Sequence, residues 1–226
     1  GVCLHFKKNI RSEKQLNRTE KGVGMRRVFK AVPMIILALF LSNSEVLAFN
    51  PVETKIIAAD DDNPAYDYFG GSVSVSGDYA IAGAKCDEHI ATYAGSAYIF
   101  HRSGTVWTQQ AKLTAGDGEQ GDIFGSSVSV SGDYAIAGAY FGDDNGSMSG
   151  KAYIFFRNGD GTWTQQDKLT ASDGAERDHF GNSVGIGGEC VIAGAYYDDD
   201  NGTNSGSAYI YDISPKPEIS VSPARY

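Results

Sequence analysis

Hydrophobic and polar residues alternate with a period of two along a stretch that occurs three times in the chain. The copies begin at Phe69, Phe124 and Phe180 and read FGGSVSVSGDYAIAGA, FGSSVSVSGDYAIAGA and FGNSVGIGGECVIAGA. Such alternation is typical of a β-strand with one buried face. The copies start 55 and 56 residues apart (124 − 69 and 180 − 124). A fixed period of this kind indicates a repeat architecture, in which neighbouring units bury one another's faces.

Each copy predicts a set of antiparallel strands. The alternating strand turns at Ser-Gly-Asp, or Gly-Gly-Glu in the third copy, into a nearly all-apolar strand that we expect to be covered on both faces. A third strand follows at Ser96–Phe100, Lys151–Phe155 and Ser207–Tyr211, and a fourth begins with Trp-Thr-Gln-Gln at Trp107 and Trp163. No helical periodicity occurs after residue 48. Four antiparallel strands in about 55 residues are typical of a blade of a β-propeller, so the predicted fold class is all-β.

The predicted blades occupy residues 53–213, divided at about 53–110, 111–166 and 167–213. No Trp-Thr-Gln-Gln strand follows the third copy in residues 212–226, whereas Glu53–Ala59 has the pattern of a fourth strand with no blade before it. Propellers normally use four to eight blades. We therefore predict an open arc, or part of a larger propeller, with unpaired edges at both ends. Self-association or further blades would complete the ring.

The segments outside the repeats predict an exported chain. Residues 25–48 begin with Met25, continue through basic residues and an apolar run of about eleven residues, and end in Val-Leu-Ala, which is typical of a signal peptide cleaved after Ala48. Residues 1–24 are interpreted as a disordered extension translated from upstream sequence. Residues 214–226 are predicted to be a linker or the start of a truncated immunoglobulin-like module. We expect a secreted, periplasmic or cell-surface protein with no membrane span after cleavage.

Charge restricts the possible partners. The whole chain has a net charge of −9, but residues 49–226 hold 10 basic and 25 acidic residues, a net charge of −15. Such a domain repels the phosphate backbone, which argues against a nucleic-acid partner. It attracts cations and suits an extracellular protein.

The repeated residues resemble the FG-GAP repeat, which forms the propeller of the integrin α-chain and occurs in many secreted bacterial proteins. The FG pairs are Phe69-Gly70, Phe124-Gly125 and Phe180-Gly181, and Gly-Ala without the proline follows at Gly83, Gly138 and Gly194. The resemblance implies a propeller with calcium in Asp-rich loops between the first and second strands. Here that connection is a tight turn, which cannot supply the six to eight oxygen ligands of calcium.

Acidic residues instead crowd the loops after the second and fourth strands, which emerge on the same side of a blade. We expect this side to form the binding face, because loops on a rigid scaffold commonly carry function. The predicted contact residues are Asp60, Asp62, Asp117, Asp122, Asp144, Asp173, Asp178 and Asp199. A metal site, with Ca²⁺ as the candidate ion, is predicted from Asp143, Asn145, Asp198, Asp200 and Asn201.

Three functions remain open at this point. The first is a secreted or cell-surface adhesion module that binds a protein or glycan through the acidic face, with cations assisting. The second is a propeller-type glycan lyase or hydrolase, although no catalytic motif recurs and the His residues occupy non-equivalent positions. The third is a structural spacer in a larger surface protein. Trp107 and Trp163 are expected to pack in the core, with a carbohydrate platform as the alternative.

Overall fold

A computed structural model of the chain describes residues 51–59 and 66–214. Apart from Pro51, these residues belong to one compact unit that begins at Val52. The predicted upstream extension (1–24), the signal peptide (25–48) and all but the first residue of the predicted linker (214–226) lie outside the described residues. Among the residues described, no helix is long and apolar enough to cross a membrane.

Eleven strands form three antiparallel sheets in the described residues, which contain no helix. Within each sheet the strands lie side by side in chain order. We call the sheets blades 1, 2 and 3, and this all-β arrangement confirms the predicted fold class. Blade 1 contains β1 (Ser72–Ser76), β2 (Tyr79–Ala84), β3 (Ser96–Ser103) and β4 (Val106–Leu113); blade 2 contains β5 (Ser127–Ser131), β6 (Tyr134–Ala139), β7 (Lys151–Arg157) and β8 (Trp163–Leu169); blade 3 contains β9 (Phe180–Gly187), β10 (Cys190–Ala195) and β11 (Ser207–Asp212).

The first and second strands of each blade join through a turn of only two residues. Its glycine has a positive φ in all three blades, at Gly77, Gly132 and Gly188, a conformation that glycine adopts without steric penalty. In blade 1 the strand pairing continues up to the turn, where Ser76 pairs with Tyr79. The turn is therefore too short to form the Asp-rich calcium loop of integrin-type blades.

Two apolar cores lie between consecutive blades. In the first, Ile81 and Ile99 of blade 1 pack with Phe124 and Val128 of blade 2. In the second, Ile136 and Ile154 of blade 2 occupy the places of those isoleucines and pack with Phe180 of blade 3, among other residues. The two faces of β6 are thus shared between blades 1 and 3, which explains why this strand is apolar throughout.

The FG and Gly-Ala motifs meet where one blade touches the next. A Cβ atom added to Gly83 would lie 1.9 Å from the carbonyl oxygen of Gly125, and one on Gly138 would lie 2.0 Å from that of Gly181. The hydroxyl of Ser72 donates to the Gly125 carbonyl at 2.7 Å. The motif glycines are therefore required for close approach of neighbouring blades, and the alternating serines bond across the same boundary.

The three blades do not close into a ring, as predicted. Val73 on the outer face of blade 1 is 69% exposed, while its counterpart Val128, which faces blade 1, is 7% exposed. Ile210 on the free face of blade 3 is 73% exposed, while its counterpart Ile154 is 2% exposed. Both ends of the arc thus expose apolar positions that are buried between blades.

The prediction of a strand at Glu53–Ala59 is wrong, because residues 51–59 form no strand. Their placement nevertheless follows the repeat. Ile56 and Ala58 pack against the core of blade 1, as Leu113 and Ala115 pack into the core between blades 1 and 2. A strand requires a neighbouring strand to complete its ladder, and the segment pairs with none among the described residues.

Candidate functional site

The loops that follow β2, β6 and β10 lie beside the loops that connect one blade to the next. Short parallel bridges join Gly95 to Phe124 and Gly150 to Phe180. Further backbone hydrogen bonds join the same loops: Arg177 N donates to the Ser147 carbonyl at 2.9 Å, and His179 N donates to that of Met148 at 3.2 Å. We call the surface formed by residues 85–95, 116–123, 140–150, 172–179 and 196–206 the loop face. Its two sets of loops lie together, as the strand order predicts.

The predicted contact residues of the loop face differ in accessibility. Asp122 and Asp178 are buried and accept bonds from the backbone of their own loops, at Glu119 N and Ala175 N. These two carboxylates stabilise loop conformation. Asp60 and Asp62 lie outside the described residues. The remaining predicted contact residues, Asp117, Asp144, Asp173 and Asp199, are exposed.

In blade 1, a lysine of the outer strand satisfies a buried carboxylate of the loop face. Asp87 is 1% exposed, accepts a bond from the Tyr98 hydroxyl at 2.6 Å, and lies 3.0 Å from the Lys112 ammonium. Burial alone would raise the pKa of Asp87, but the bonds from Tyr98, His89 and Lys112 outweigh burial and lower it.

Blade 2 uses two lysines for the same purpose. Lys168 on β8, the counterpart of Lys112, bonds Asp117 at 2.9 Å and also Asp144. Lys151 is buried and pairs with Asp122 at 3.3 Å and Asp144 at 3.0 Å. Burial alone would raise the pKa of Asp144, yet the two lysines lower it. These acidic residues are therefore neutralised within the blade.

Blade 3 brings three carboxylates together, and within residues 51–59 and 66–214 no lysine pairs with them. Asp173, Asp198 and Asp200 each place an oxygen within 4.8 Å of the others. The Tyr209 hydroxyl lies 2.8 Å from Asp173 and 2.7 Å from Asp198. Repulsion from Asp198 and then from Asp173 raises the pKa of Asp200. We call these three residues the carboxylate trio.

The trio overlaps the predicted metal site only in part. Asp198 and Asp200 belong to it, whereas Asp143 does not. Asn145 donates its side-chain amide to the Ala171 carbonyl at 3.3 Å, and the role of Asn145 and Asn201 as ligands stays a prediction. Sequence reasoning assigned Asp173 to ligand contact and did not group it with the others. With one oxygen from each, the three carboxylates would supply three of the six to eight ligands that calcium takes, while one ammonium group can donate to all three.

The repeat alignment explains the composition of the trio. Asp198 occupies the position of Asp87, which Lys112 contacts in blade 1. Asp173 and Asp200 occupy the positions of Asp117 and Asp144, which Lys168 contacts in blade 2. The trio thus consists of the three positions that outer-strand lysines contact in the other blades, and the part of the chain that the structure describes includes no outer strand for blade 3.

An aromatic cluster surrounds His179 between the loops of blades 2 and 3. The centroid of the His179 ring lies 5.0–5.5 Å from the centroids of four neighbouring aromatic rings. Its Nδ1 lies 3.1 Å from the Tyr196 hydroxyl. Burial lowers the pKa of His179, although Asp178 opposes the shift. The four neighbours are Tyr140, Phe141, Tyr196 and Tyr197. This cluster was not predicted, because its members are not equivalent in the three copies.

Beside the cluster, blade 3 carries a cavity of about 330 Å³ on the loop face. Its wall contains three carboxylates and one phenol ring that is partly exposed. The lining residues are Glu176, Arg177, Asp178, Tyr197, Asp199 and Asn204. We call it the acidic cavity.

The two tryptophans lie at the far ends of the outer strands and are half-buried. Trp163 packs edge-to-face on Tyr79 of blade 1 at 6.1 Å, and its Nε1 donates to Gln110 at 3.2 Å. Arg102 lies over the ring of Trp107. Trp163 therefore contributes to packing between blades.

The fold and the loop face together define a repeat module of the β-propeller type. A family model described as FG-GAP repeat matches three consecutive segments, residues 52–100, 107–155 and 163–211. These segments cover more than half of the chain, which therefore belongs to the FG-GAP repeat family. No curated protein matches the chain as a relative. Each matched segment after the first begins on the outer strand of one blade and ends on the third strand of the next.

Proposed function

We propose that the chain is an extracellular binding module of the adhesion type, and that its loop face contacts a protein or glycan that carries cationic groups. The acidic cavity is the observation that supports this proposal best. It is concave, and it combines carboxylates with an exposed aromatic ring. Carboxylates orient a cationic group, and an aromatic face adds contact area and attracts the same charge.

Several acidic groups of the loop face are not available for this role. Asp87, Asp122 and Asp144 are bound by lysines of their own blades. The ligand would therefore meet mainly the exposed Asp199 and Glu176, and it would have to displace Arg177, which lies 3.6 Å from Glu176 in an exposed ion pair. The loops are fixed by backbone bonds to one another, which lowers the entropy lost on binding. The signal-peptide pattern at residues 25–48 supports location outside the cytoplasm.

The test is a binding measurement with probes of different charge. A lysine-rich peptide and a chitosan oligosaccharide represent cationic protein and glycan ligands, and a neutral oligosaccharide of the same length is the reference. We expect binding of the cationic probes that weakens as salt increases. A double variant, Glu176→Gln with Asp199→Asn, should bind about tenfold more weakly.

Glu189→Gln is the matched control, because this exposed carboxylate lies in the turn between β9 and β10, away from the loop face. Equal binding of the neutral reference, or loss of binding in this control alone, would assign the contact to another surface. Adding calcium tests whether a cation assists. Binding of an anionic oligosaccharide only when calcium is present would support a metal-bridged contact.

A further inference from the structure

The free edge of blade 3 carries three unmet requirements. Strand β11 pairs with β10 alone among the described residues, whereas β3 and β7 have an outer neighbour. None of the described lysines lies beside the carboxylate trio, and Ile192 and Ile210 are exposed. We propose that a second copy of the chain docks here. The Glu53–Ala59 segment of that copy becomes the outer strand of blade 3 and places its Lys55 among the trio.

The segment is already held in the position of an outer strand that belongs to a preceding blade. Ala59 N donates to the Gln109 side chain at 2.7 Å, just as Gly116 N donates to that of Gln165 at 2.9 Å. Residues 55–59 read KIIAA, and the matching ends of β4 and β8 read KLTAG and KLTAS. Docking therefore requires no movement of the segment away from blade 1.

This alignment fixes the register of the proposed strand pair. Lys112 lies opposite Tyr98, and Lys168 lies opposite Tyr153. Lys55 would therefore lie opposite Tyr209 on β11. The hydroxyl of Tyr209 already contacts two members of the trio, so the ammonium would enter between groups that lysines contact in the other blades.

The apolar faces at the two ends of the arc match each other. Ile192 and Ile210 of one copy would meet Val73 and Val75 of the other, as Ile136 and Ile154 meet blade 3 in the second core. A Cβ atom on Gly194 would meet mainly the Ser183 hydroxyl. Gly194 therefore has room for a glycine carbonyl of the next blade, the contact that Gly83 and Gly138 make within the chain.

Two copies joined in this way make two identical contacts and six blades. Contacts between unlike surfaces form a ring if the rotation closes, and six lies within the four to eight blades of known propellers. Closure would remove both unpaired edges. The chain itself carries both halves of the contact, which is why we assign the edge to a second copy.

The experiment measures the mass of the purified protein in solution as its concentration is lowered. We expect the mass of two chains for the unchanged protein. Lys55→Glu and Asp200→Lys should each weaken association about tenfold or more, because they place like charges together. An equal mixture of the two variants should recover the dimer, since each contact then joins opposite charges.

Arg177→Glu is the matched control for Lys55→Glu, because it makes the same change in net charge on an exposed side chain of a loop that contacts blade 2. It should associate like the unchanged protein. Ile210→Asp gives a second, independent variant; this side chain is largely exposed, so the fold should persist while the dimer is lost. An unchanged protein that stays monomeric, or a variant mixture that does not recover, overturns the proposal.

A synthetic peptide, WTQQDKLT, tests for another occupant. It repeats residues 163–170, and its tryptophan could fill the cavity of about 490 Å³ whose lining includes Tyr134, Gln166 and Tyr211. A peptide that competes with dimer formation supports the proposal. A monomer that binds the peptide tightly would instead assign the edge to a further blade. Calcium is the third possible occupant. If added calcium raises the unfolding temperature of the unchanged protein and of Lys55→Glu equally, and neither forms a dimer, the trio is a metal site and the proposal is wrong.

Discussion

The boundaries between blades and the two ends of the arc are built from the same residues in opposite environments. Phe124 and Phe180, at the two boundaries, are fully buried, whereas their counterpart Phe69 at the first end is half-buried. At the other end, a Cβ atom on Gly194 would meet the side-chain hydroxyl of Ser183 in its own blade, while one on Gly138 would meet the backbone of the next blade. Every repeat thus carries both surfaces of the contact between blades, one for the preceding blade and one for the following blade. The position of the repeat in the array decides which of these surfaces is buried.

The same comparison holds for charge. Lys168 pairs with Asp117 and Asp144 of blade 2, while their equivalents Asp173 and Asp200 lie together with Asp198 in blade 3, where repulsion raises the pKa of Asp200. Asp117 and Asp144 of blade 2 have acidic counterparts in Asp173 and Asp200, whereas Asp198 stands where blade 2 has Gly142. Blade 3 also carries Ser207 in place of Lys151, and among the described residues it has no outer strand to supply a counterpart of Lys168. The comparison can be tested by changing equivalent residues at a boundary and at an end.

The largest effect is expected for phenylalanine. Phe124→Ala removes a fully buried ring that packs edge-to-face on Tyr153 and Phe155 at 5.6 and 5.9 Å, and should lower the free energy of unfolding by about 3–5 kcal/mol. Phe69→Ala at the end of the arc should lower it by roughly half as much. Urea denaturation followed by fluorescence measures both. Equal losses would show that the end is as well packed as the boundary.

A smaller effect is expected for the motif glycines. Gly138→Ala places a methyl group against the Gly181 carbonyl and should lower stability by about 1–3 kcal/mol, because a backbone cannot move aside without separating the blades. Gly194→Ala meets only the movable Ser183 hydroxyl and should change stability by less than about 1 kcal/mol. The pair is measured by the same denaturation, at protein concentrations low enough to keep the chain monomeric. A larger loss at Gly194 would contradict the assignment.

The way that blade 2 neutralises its buried carboxylate differs from that of blade 1, and substitutions at Lys151 and Gly142 can replace one arrangement by the other. Lys151→Ser leaves the buried Asp122 without its ammonium partner and should cost about 3 kcal/mol. A Cβ on Gly142 would collide with the Lys151 side chain, so Gly142→Asp alone should also destabilise. Together the two changes recreate the Asp87 and Ser96 arrangement of blade 1.

We expect the double variant to recover part of the loss, because the new carboxylate would meet Tyr153 and Lys168 as Asp87 meets Tyr98 and Lys112. The two single variants are its controls, and a double-mutant cycle gives the coupling. Losses that simply add would show that the two blades do not share this arrangement.

The smallest effect concerns pH. Burial lowers the pKa of His179 from 6.5 in the folded protein, so the unfolded chain takes up the proton first as the pH falls. The stability contributed by neutral His179 is present above about pH 6.5 and is lost as the pH falls from there to the folded pKa. His179→Phe should flatten this part of the stability profile between pH 7 and 5. An unchanged slope would show that other groups cause it.

Much of the fold could be predicted because each blade is local in sequence. The period-two alternation predicted β1 and β5, the Gly-Asp turns predicted the hairpins, and the Trp-Thr-Gln-Gln motif predicted a strand beginning at Trp163, where β8 begins. The failure at Glu53–Ala59 has a clear cause. The residues match a strand, but a strand exists only where another strand completes its hydrogen bonds.

The candidate site was less predictable. Acidic loops on one face followed from strand order, but side-chain pairing did not. Nothing in local sequence separates Asp122, which is buried against Lys151, from Asp199, which is exposed. The alignment of Lys112 with Lys168 was the signal that could have shown which carboxylates are neutralised.

The sequence by itself determined the repeat, the strands within each blade, the acidic loops and the glycines that allow blades to approach. These features depend on residues a few positions apart, or on a motif that recurs unchanged. Only the tertiary structure decided which copies of a residue are buried, which carboxylates a lysine neutralises, and where the array stays open. Those outcomes depend on neighbours about 55 residues away or in another chain, because burial and charge pairing are properties of the contact and not of the residue.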